Sequence, residues 1–156
     1  MPARTYTAQA QIDAPPAAVW ATLVDLPGHR RWDPFTSMIR SRLVPGAAVW
    51  MLVWLGGVPV PQLQWVRRTT APTELVWGMR LGPLLWAERV QSIRPDGLGG
   101  SVYTTADTIG GWLQPVVDRL CGRALEDGFG ALVAGLRREA EQRASTPRPA
   151  PRPPGG

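Results

Sequence analysis

Between Phe35 and Ile109 the chain consists of short alternating or uniformly apolar segments separated by tight turns. Residues 36–43 and 47–55 are joined by Val44-Pro45-Gly46, and residues 62–70 and 74–80 by Ala71-Pro72-Thr73. Residues 84–94 and 101–109 flank the turn from Pro95 to Gly100. Connections this short link neighbouring antiparallel strands, so six strands in a meander are predicted. A seventh precedes them. From Thr5 to Asp13 the chain alternates, with Tyr6, Ala8, Ala10 and Ile12 on one side and Thr5, Thr7, Gln9 and Gln11 on the other.

Two short helices fall between the first and second strands. Ala14-Pro15-Pro16 opens one, since prolines suit a first turn whose N–H groups lack partners, and Val19, Trp20, Leu23 and Val24 form its apolar stripe. The other covers residues 28–32 and ends at Asp33-Pro34. After Gly110-Gly111, Val116, Leu120, Ala124, Leu125, Phe129, Leu132 and Leu136 recur at three- and four-residue steps, which predicts a long helix over 115–141, fading by about 143. Gly128, Gly130 and Gly135 inside it imply close backbone approach, a bend, room for a ligand, or simple tolerance at some cost. The fold class is therefore α+β: a curved sheet that buries one long apolar helix on its concave face.

Residues 1–143 are expected to form this one domain. Residues 144–156, rich in proline, cannot build a core and read as a disordered, dispensable tail. The formal charge is +5, of which Arg148 and Arg152 in that tail account for two. No other stretch concentrates the charge on one face, and Arg30-Arg31, Arg67-Arg68 and Arg137-Arg138 are isolated pairs, so nucleic acid is not an expected partner. There is no lysine, which excludes Schiff-base catalysis by one. The single Cys121 permits no internal disulfide and suits a reducing, cytoplasmic setting. The start of the chain has no signal-peptide run. Within the longest uncharged stretch, residues 43–61 are broken by prolines and glycines to nine continuous residues, 47–55, too few to span a membrane. A monomer and a homodimer are both compatible with this composition.

Several motifs are familiar as a set. Ile12-Asp13-Ala14-Pro15-Pro16-Ala17-Ala18-Val19-Trp20, Leu23-Val24-Asp25-Leu26-Pro27-Gly28 and Arg31-Trp32-Asp33-Pro34-Phe35 resemble the N-terminal signature of the SRPBCC superfamily. These START-like, helix-grip proteins include polyketide cyclase/dehydratases and lipid-transport domains. Leu75-Val76-Trp77, the stretch from Gly97 to Tyr103, Ile109-Gly110-Gly111-Trp112-Leu113, and the spacing of Phe129, Leu132, Leu136 and Glu139 extend the resemblance over residues 5–141. It implies a helix-grip fold, with seven strands wrapped round the C-terminal helix and two short helices after the first strand. Two departures stand out. Relatives often carry a His on the sixth strand, where this chain has Arg89 or its neighbour Glu88, and an aromatic where it has Gln91.

The chemistry available is narrow. His29, the only imidazole, sits in a polar Gly28-His29-Arg30 turn and reads as a surface residue. No His/Cys/carboxylate cluster has metal-ligand spacing, and no phosphate loop opens a helix, so neither metal nor cofactor is expected. Carboxylates and a phenol remain. Tyr103, Thr105 and Asp107 share a strand face, and Glu88 lies on the neighbouring strand. Facing inward, Asp107, Tyr103 and Glu88 could act as acid/base groups; facing outward, the carboxylates would pair with arginines.

An apolar ligand site needs walls. Trp32 and Phe35 from the short helices, and Trp50, Leu52 and Trp54 from the third strand, are candidates, with Gln64, Trp77 and Trp86 from the strands that follow. Val117, Leu120, Leu125 and Phe129 would supply the helix side. Met51 and Val53 are also apolar, so alternation leaves open which face of the third strand is concave. The expected cavity measures several hundred Å³, on the order typical of ligand pockets, and opens near Trp32-Asp33-Pro34-Phe35. It would hold a polyketide-like or other polycyclic intermediate in a cyclase/dehydratase-type enzyme. The alternatives are a non-catalytic lipid or isoprenoid carrier or sensor, and an interaction domain with a filled interior.

Overall fold

The computed structural model describes residues 2–146. Strand β1 (Ala3–Ile12) leads into α1 (Pro16–Val24), a single 3-10 turn at Leu26–Gly28 and the short α2 (His29–Trp32). Then come β2 (Thr36–Arg40), β3 (Ala48–Leu55), β4 (Val58–Thr70), β5 (Glu74–Leu81), β6 (Leu85–Pro95) and β7 (Ser101–Gly110), and finally α3 (Gln114–Ser145). The strands form one antiparallel sheet in the order β1-β7-β6-β5-β4-β3-β2, which curls around α3 in the helix-grip arrangement. β1 reaches the far edge by pairing with β7, so the two short helices span the open end of the sheet.

The elements follow from the residues, with three departures from the sequence reading. β4 begins at Val58, although Pro59 and Pro61 had suggested a turn. It pairs with β5 only from Trp65 onward, so at both prolines the strand has a free side where a missing N–H breaks no ladder bond. β2 stops at Arg40, and Leu43 turns the chain with a φ of 54°. The long helix runs to Ser145 because its last turns are tied down: Arg143 Nη2 donates to Asp25 Oδ2 at 2.7 Å, and Glu141 Oε1 accepts the Asp13 backbone N–H at 3.0 Å. Residues 144 and 145, expected in the tail, are thus helical. The remainder of the expected tail, 147–156, lies outside the described residues.

The core lies between the concave sheet face and the stripe of Leu125, Phe129, Leu132 and Leu136 on α3. Burying each such side chain contributes about 1.5–3 kcal/mol. Two of the helix glycines explain how close the short helices come. A Cβ at Gly135 would strike the Trp32 carbonyl oxygen, and one at Gly128 would strike the Phe35 ring. At Gly130 it would meet nothing within 4 Å.

Candidate ligand site

Alternation on β6 turns Arg89 and Gln91 toward the centre of the concave face. In register, Trp77 on β5 and Asp107 on β7 flank Arg89, and Thr105 flanks Gln91. The opposite wall comes from His29, Trp32, Asp33 and Phe35 around α2, and from Phe129 and Leu132 on α3. Asp33 shapes this wall. Its Oδ1 accepts the backbone N–H groups of Phe35 at 2.9 Å and Thr36 at 3.0 Å, which fixes the turn and drives Phe35 inward. The Phe35 ring then meets Phe129 edge-on, 5.0 Å between centroids.

Arg89 is 5% exposed. Its guanidinium carbon lies 4.5 Å from the ring centroid of Phe129, 5.8 Å from that of Phe35 and 6.0 Å from that of Trp77. Among the described residues its guanidinium has three aromatic faces around it but neither an ion pair nor a hydrogen bond. Other polar atoms nearby are unpartnered too: Trp32 Nε1, Trp77 Nε1, Gln91 Nε2, Thr36 Oγ1, Thr105 Oγ1, His29 Nδ1 and Asp33 Oδ2. The Tyr103 hydroxyl donates to Gln91 Oε1 at 2.8 Å, which orients the amide and leaves its NH₂ group free. The space enclosed by Trp32, Thr36, Trp77, Arg89, Gln91 and Leu132 is too narrow for a water molecule.

His29 is buried, not at the surface. Its Nε2 donates to the Leu23 carbonyl oxygen at 2.7 Å, and Nδ1 lies 3.5 Å from Asp33 Oδ2. Local sequence carried a signal for this, because Asp33, four residues on and just past the end of α2, lies one helical turn from His29.

Burial pushes the Tyr103 phenol well above its ordinary range, with the Arg89 charge pulling the other way, so the hydroxyl stays protonated. Burial likewise raises the Asp107 carboxyl, again opposed by Arg89. Asp107 and Tyr103 both face the concave side, as one of the two readings of that strand required.

The other candidates divide. Trp32, Phe35, Gln64, Trp77, Leu125 and Phe129 are buried on the inner side. Trp50 and Leu52 are on the convex face, with Trp50 58% exposed, because Val49, Met51 and Val53 take the concave positions of β3, while Trp54 near the strand's end lines the rim beside Phe35 and α3. Trp86 also lies outside, over Gly110 and beside Arg80, and Glu88 projects into solvent from the same face. Leu120 is 77% exposed and Val117 only half-buried, since the start of α3 passes the rim of the sheet. The interior also differs from the cavity expected: Trp77, Tyr103 and Phe129 fill it. A cleft of about 180 Å³ does lie outside Phe35, between Pro34, Trp54, Gly56 and the Ala124–Ala131 side of α3. Sequence reasoning passed over Arg89 and Gln91 as site residues. Their signal was the unusual polarity of β6.

Among the described residues no helix is long and apolar enough to cross a membrane, and no group of three or more His, Cys, Asp or Glu is placed to hold a metal. The fold has clear counterparts. The Zhui aromatase/cyclase from Streptomyces sp. R1128 superposes with a TM-score of 0.74 at 14% identity, over 91% of this chain and 96% of that one. A START superfamily protein from Mycobacterium smegmatis gives 0.67 at 17% identity, over 89% and 98%. A di-domain aromatase/cyclase from the steffimycin biosynthetic pathway gives 0.71 at 12% identity, this chain spanning 52% of it. At these identities the likeness is one of fold. No curated protein matches in sequence. The motifs from Ile12 to Phe35, the curled sheet and the gripped helix agree with a family model that matches residues 3–141: the chain belongs to the polyketide cyclase/dehydrase and lipid transport family.

Proposed function

We propose that this protein binds a hydrophobic small molecule, polyketide-like or otherwise polycyclic, between the sheet and α3, and acts on it as a cyclase/dehydratase-type enzyme. One observation carries the reading: unpartnered polar atoms gather around a single tight space with apolar walls. Each buried donor left without a partner costs about 1–3 kcal/mol, so a core packed for stability alone would avoid such a cluster. As it stands the space is closed to water and to a ligand alike; once the walls part, carbonyl and hydroxyl oxygens of a ligand would satisfy Trp32, Trp77 and Gln91. Entry requires Phe35 to withdraw from Phe129, and the cleft beside Pro34 is the side from which a ligand would come.

In such a site Asp107, favoured in its protonated form by burial, is the acid. It protonates a leaving hydroxyl, the C–O bond breaks, and water departs. The carboxylate then regains a proton from the adjacent carbon as the double bond forms. Tyr103 acts through Gln91, holding the amide that orients the substrate. Glu88, on the convex face, has no part in this step. A lipid or isoprenoid carrier would use the same walls without turnover.

Native mass spectrometry of the purified protein should reveal a co-purified small molecule. Polycyclic ligands should shift the fluorescence of the buried Trp32 and Trp77. No bound molecule together with an unresponsive spectrum would overturn the binding reading.

A further inference from the structure

We propose that Arg89 anchors a carboxylate: the ligand of this site is an amphiphilic acid, its hydrophobic body held by aromatic rings and its anionic head by the guanidinium. The proposal rests on the hydrophobic-ligand reading and adds the chemistry of one end of that ligand.

The case starts from what surrounds Arg89. A buried guanidinium carries five N–H donors in a planar fork, and natural cores pair such a charge almost without exception. Here the Phe129, Phe35 and Trp77 rings lie 4.5–6.0 Å from the guanidinium carbon. Rings attract a cation but accept few directed hydrogen bonds, so the fork makes no directed bond to another described residue. The two nearby carboxyl groups do not fill it. Asp33 has its Oδ1 committed to the backbone of Phe35 and Thr36, and its Oδ2 faces His29 Nδ1 at 3.5 Å. Asp107, the register neighbour, stands beyond ion-pair distance.

The remaining free groups sharpen the chemistry. Trp32 Nε1, Trp77 Nε1 and Gln91 Nε2 are all donors, and they line the same space as Arg89. These three N–H groups stand beside the unpartnered Asp33 Oδ2, His29 Nδ1 and two threonine hydroxyls, and only an acceptor on a ligand would meet them. A carboxylate matches a guanidinium fork with two parallel bonds and leaves lone pairs for the indoles and the amide. A neutral alcohol would satisfy one donor and leave the charge unpaired.

The test uses matched pairs that differ only at the head: 1-pyrenebutyrate against 1-pyrenebutanol, and dodecanoate against dodecan-1-ol. Affinities for the full-length protein are measured at pH 7.5 by calorimetry and tryptophan fluorescence. Wild type should bind at least one acid tenfold or more tightly than its alcohol. Arg89→Met should lose the preference, binding acid no more tightly than alcohol, and Arg89→Lys, which keeps charge but not the fork, should retain only part of it. Equal affinity of wild type for acid and alcohol would overturn the Arg89 assignment and leave hydrophobic binding standing. An unchanged preference in Arg89→Met would do the same. Binding of none of the four probes to wild type would remove the hydrophobic-ligand reading itself, and this proposal with it. The wild-type comparison decides the matter even if the variants fail to fold.

Discussion

The ring of Phe35 meets that of Phe129 edge-on at 5.0 Å, and together they stand between the Pro34 cleft and the Arg89 guanidinium. One ring comes from the α2–β2 turn and the other from the middle of α3, so the contact joins the two elements that would have to part for a ligand to enter. Gly128 makes the closure tight, since any side chain there would occupy the Phe35 ring position.

Phe35→Ala should therefore open the path at the expense of packing. Removal of a buried Phe side chain typically destabilises by about 3–5 kcal/mol, read as a lower denaturation midpoint. In stopped-flow fluorescence the same variant should associate several-fold faster with any ligand that wild type binds. An unchanged association rate would place the entrance elsewhere.

The helix glycines provide a paired test of packing. At Gly135 a methyl group would run into the Trp32 carbonyl oxygen, a backbone atom that cannot move alone, so Gly135→Ala should lose about 1–3 kcal/mol. Gly130 faces open space, and Gly130→Ala should gain about 0.5–1 kcal/mol through helix propensity. Urea denaturation of the two variants side by side measures both. Equal effects would show that α3 does not press on the α2 end as described.

How far the sequence foretold this arrangement depends on what each residue's neighbours in the chain could reveal. The meander of strands and the placement of the helices were legible, because the connections are short and the α3 stripe recurs at three- and four-residue steps, whereas the inward side of β7 stayed open between two readings. β3 was different. Trp50, Leu52 and Trp54 alternate with Val49, Met51 and Val53, both sets apolar, and only pairing with β2 and β4 decides which set faces α3. Leu120 matched the helical spacing of the core stripe, yet that part of α3 passes the sheet's rim, a tertiary fact. His29 looked solvated beside Gly28 and Arg30, whereas the 3-10 turn rotates it inward onto the Leu23 carbonyl. Arg89 was visible as a departure in β6, but its lack of a partner is a property of three other elements.

That lack of a partner has a stability consequence independent of any ligand. The cation–π contacts recover about 2 kcal/mol or more, against several kcal/mol for the desolvation of a buried ion. Arg89→Met fills similar volume without the charge and should raise the ligand-free stability by about 1–3 kcal/mol. The melting temperature of wild type and variant, both stripped of ligand, reads it directly. A lower value for the variant would mean that the rings and Asp107 already satisfy the guanidinium.

Asp107 links stability to pH with a sign opposite to that of a salt-bridged carboxylate. Burial raises its pKa above the ordinary 3.8, so the folded state holds the proton more tightly than the unfolded chain does. As pH rises from below 3.8 through the raised folded value, the unfolded state ionises first, and stability falls across that window. The penalty is absent in strong acid and complete above the folded pKa. Asp107→Asn keeps the shape and removes the ionisation, so the variant should be more stable than wild type at neutral pH, with the gap closing on acidification. In the proposed reaction the same change removes the proton donor, and turnover should fall a hundredfold or more with little change in ligand affinity. Chemical denaturation at a series of pH values gives the first curve, and single-turnover assays with the substrate identified from the co-purified molecule give the second. Intact turnover in Asp107→Asn would move the acid role to another group. A stability gap that did not narrow toward low pH would show that Asp107 is not held in its protonated form by the fold.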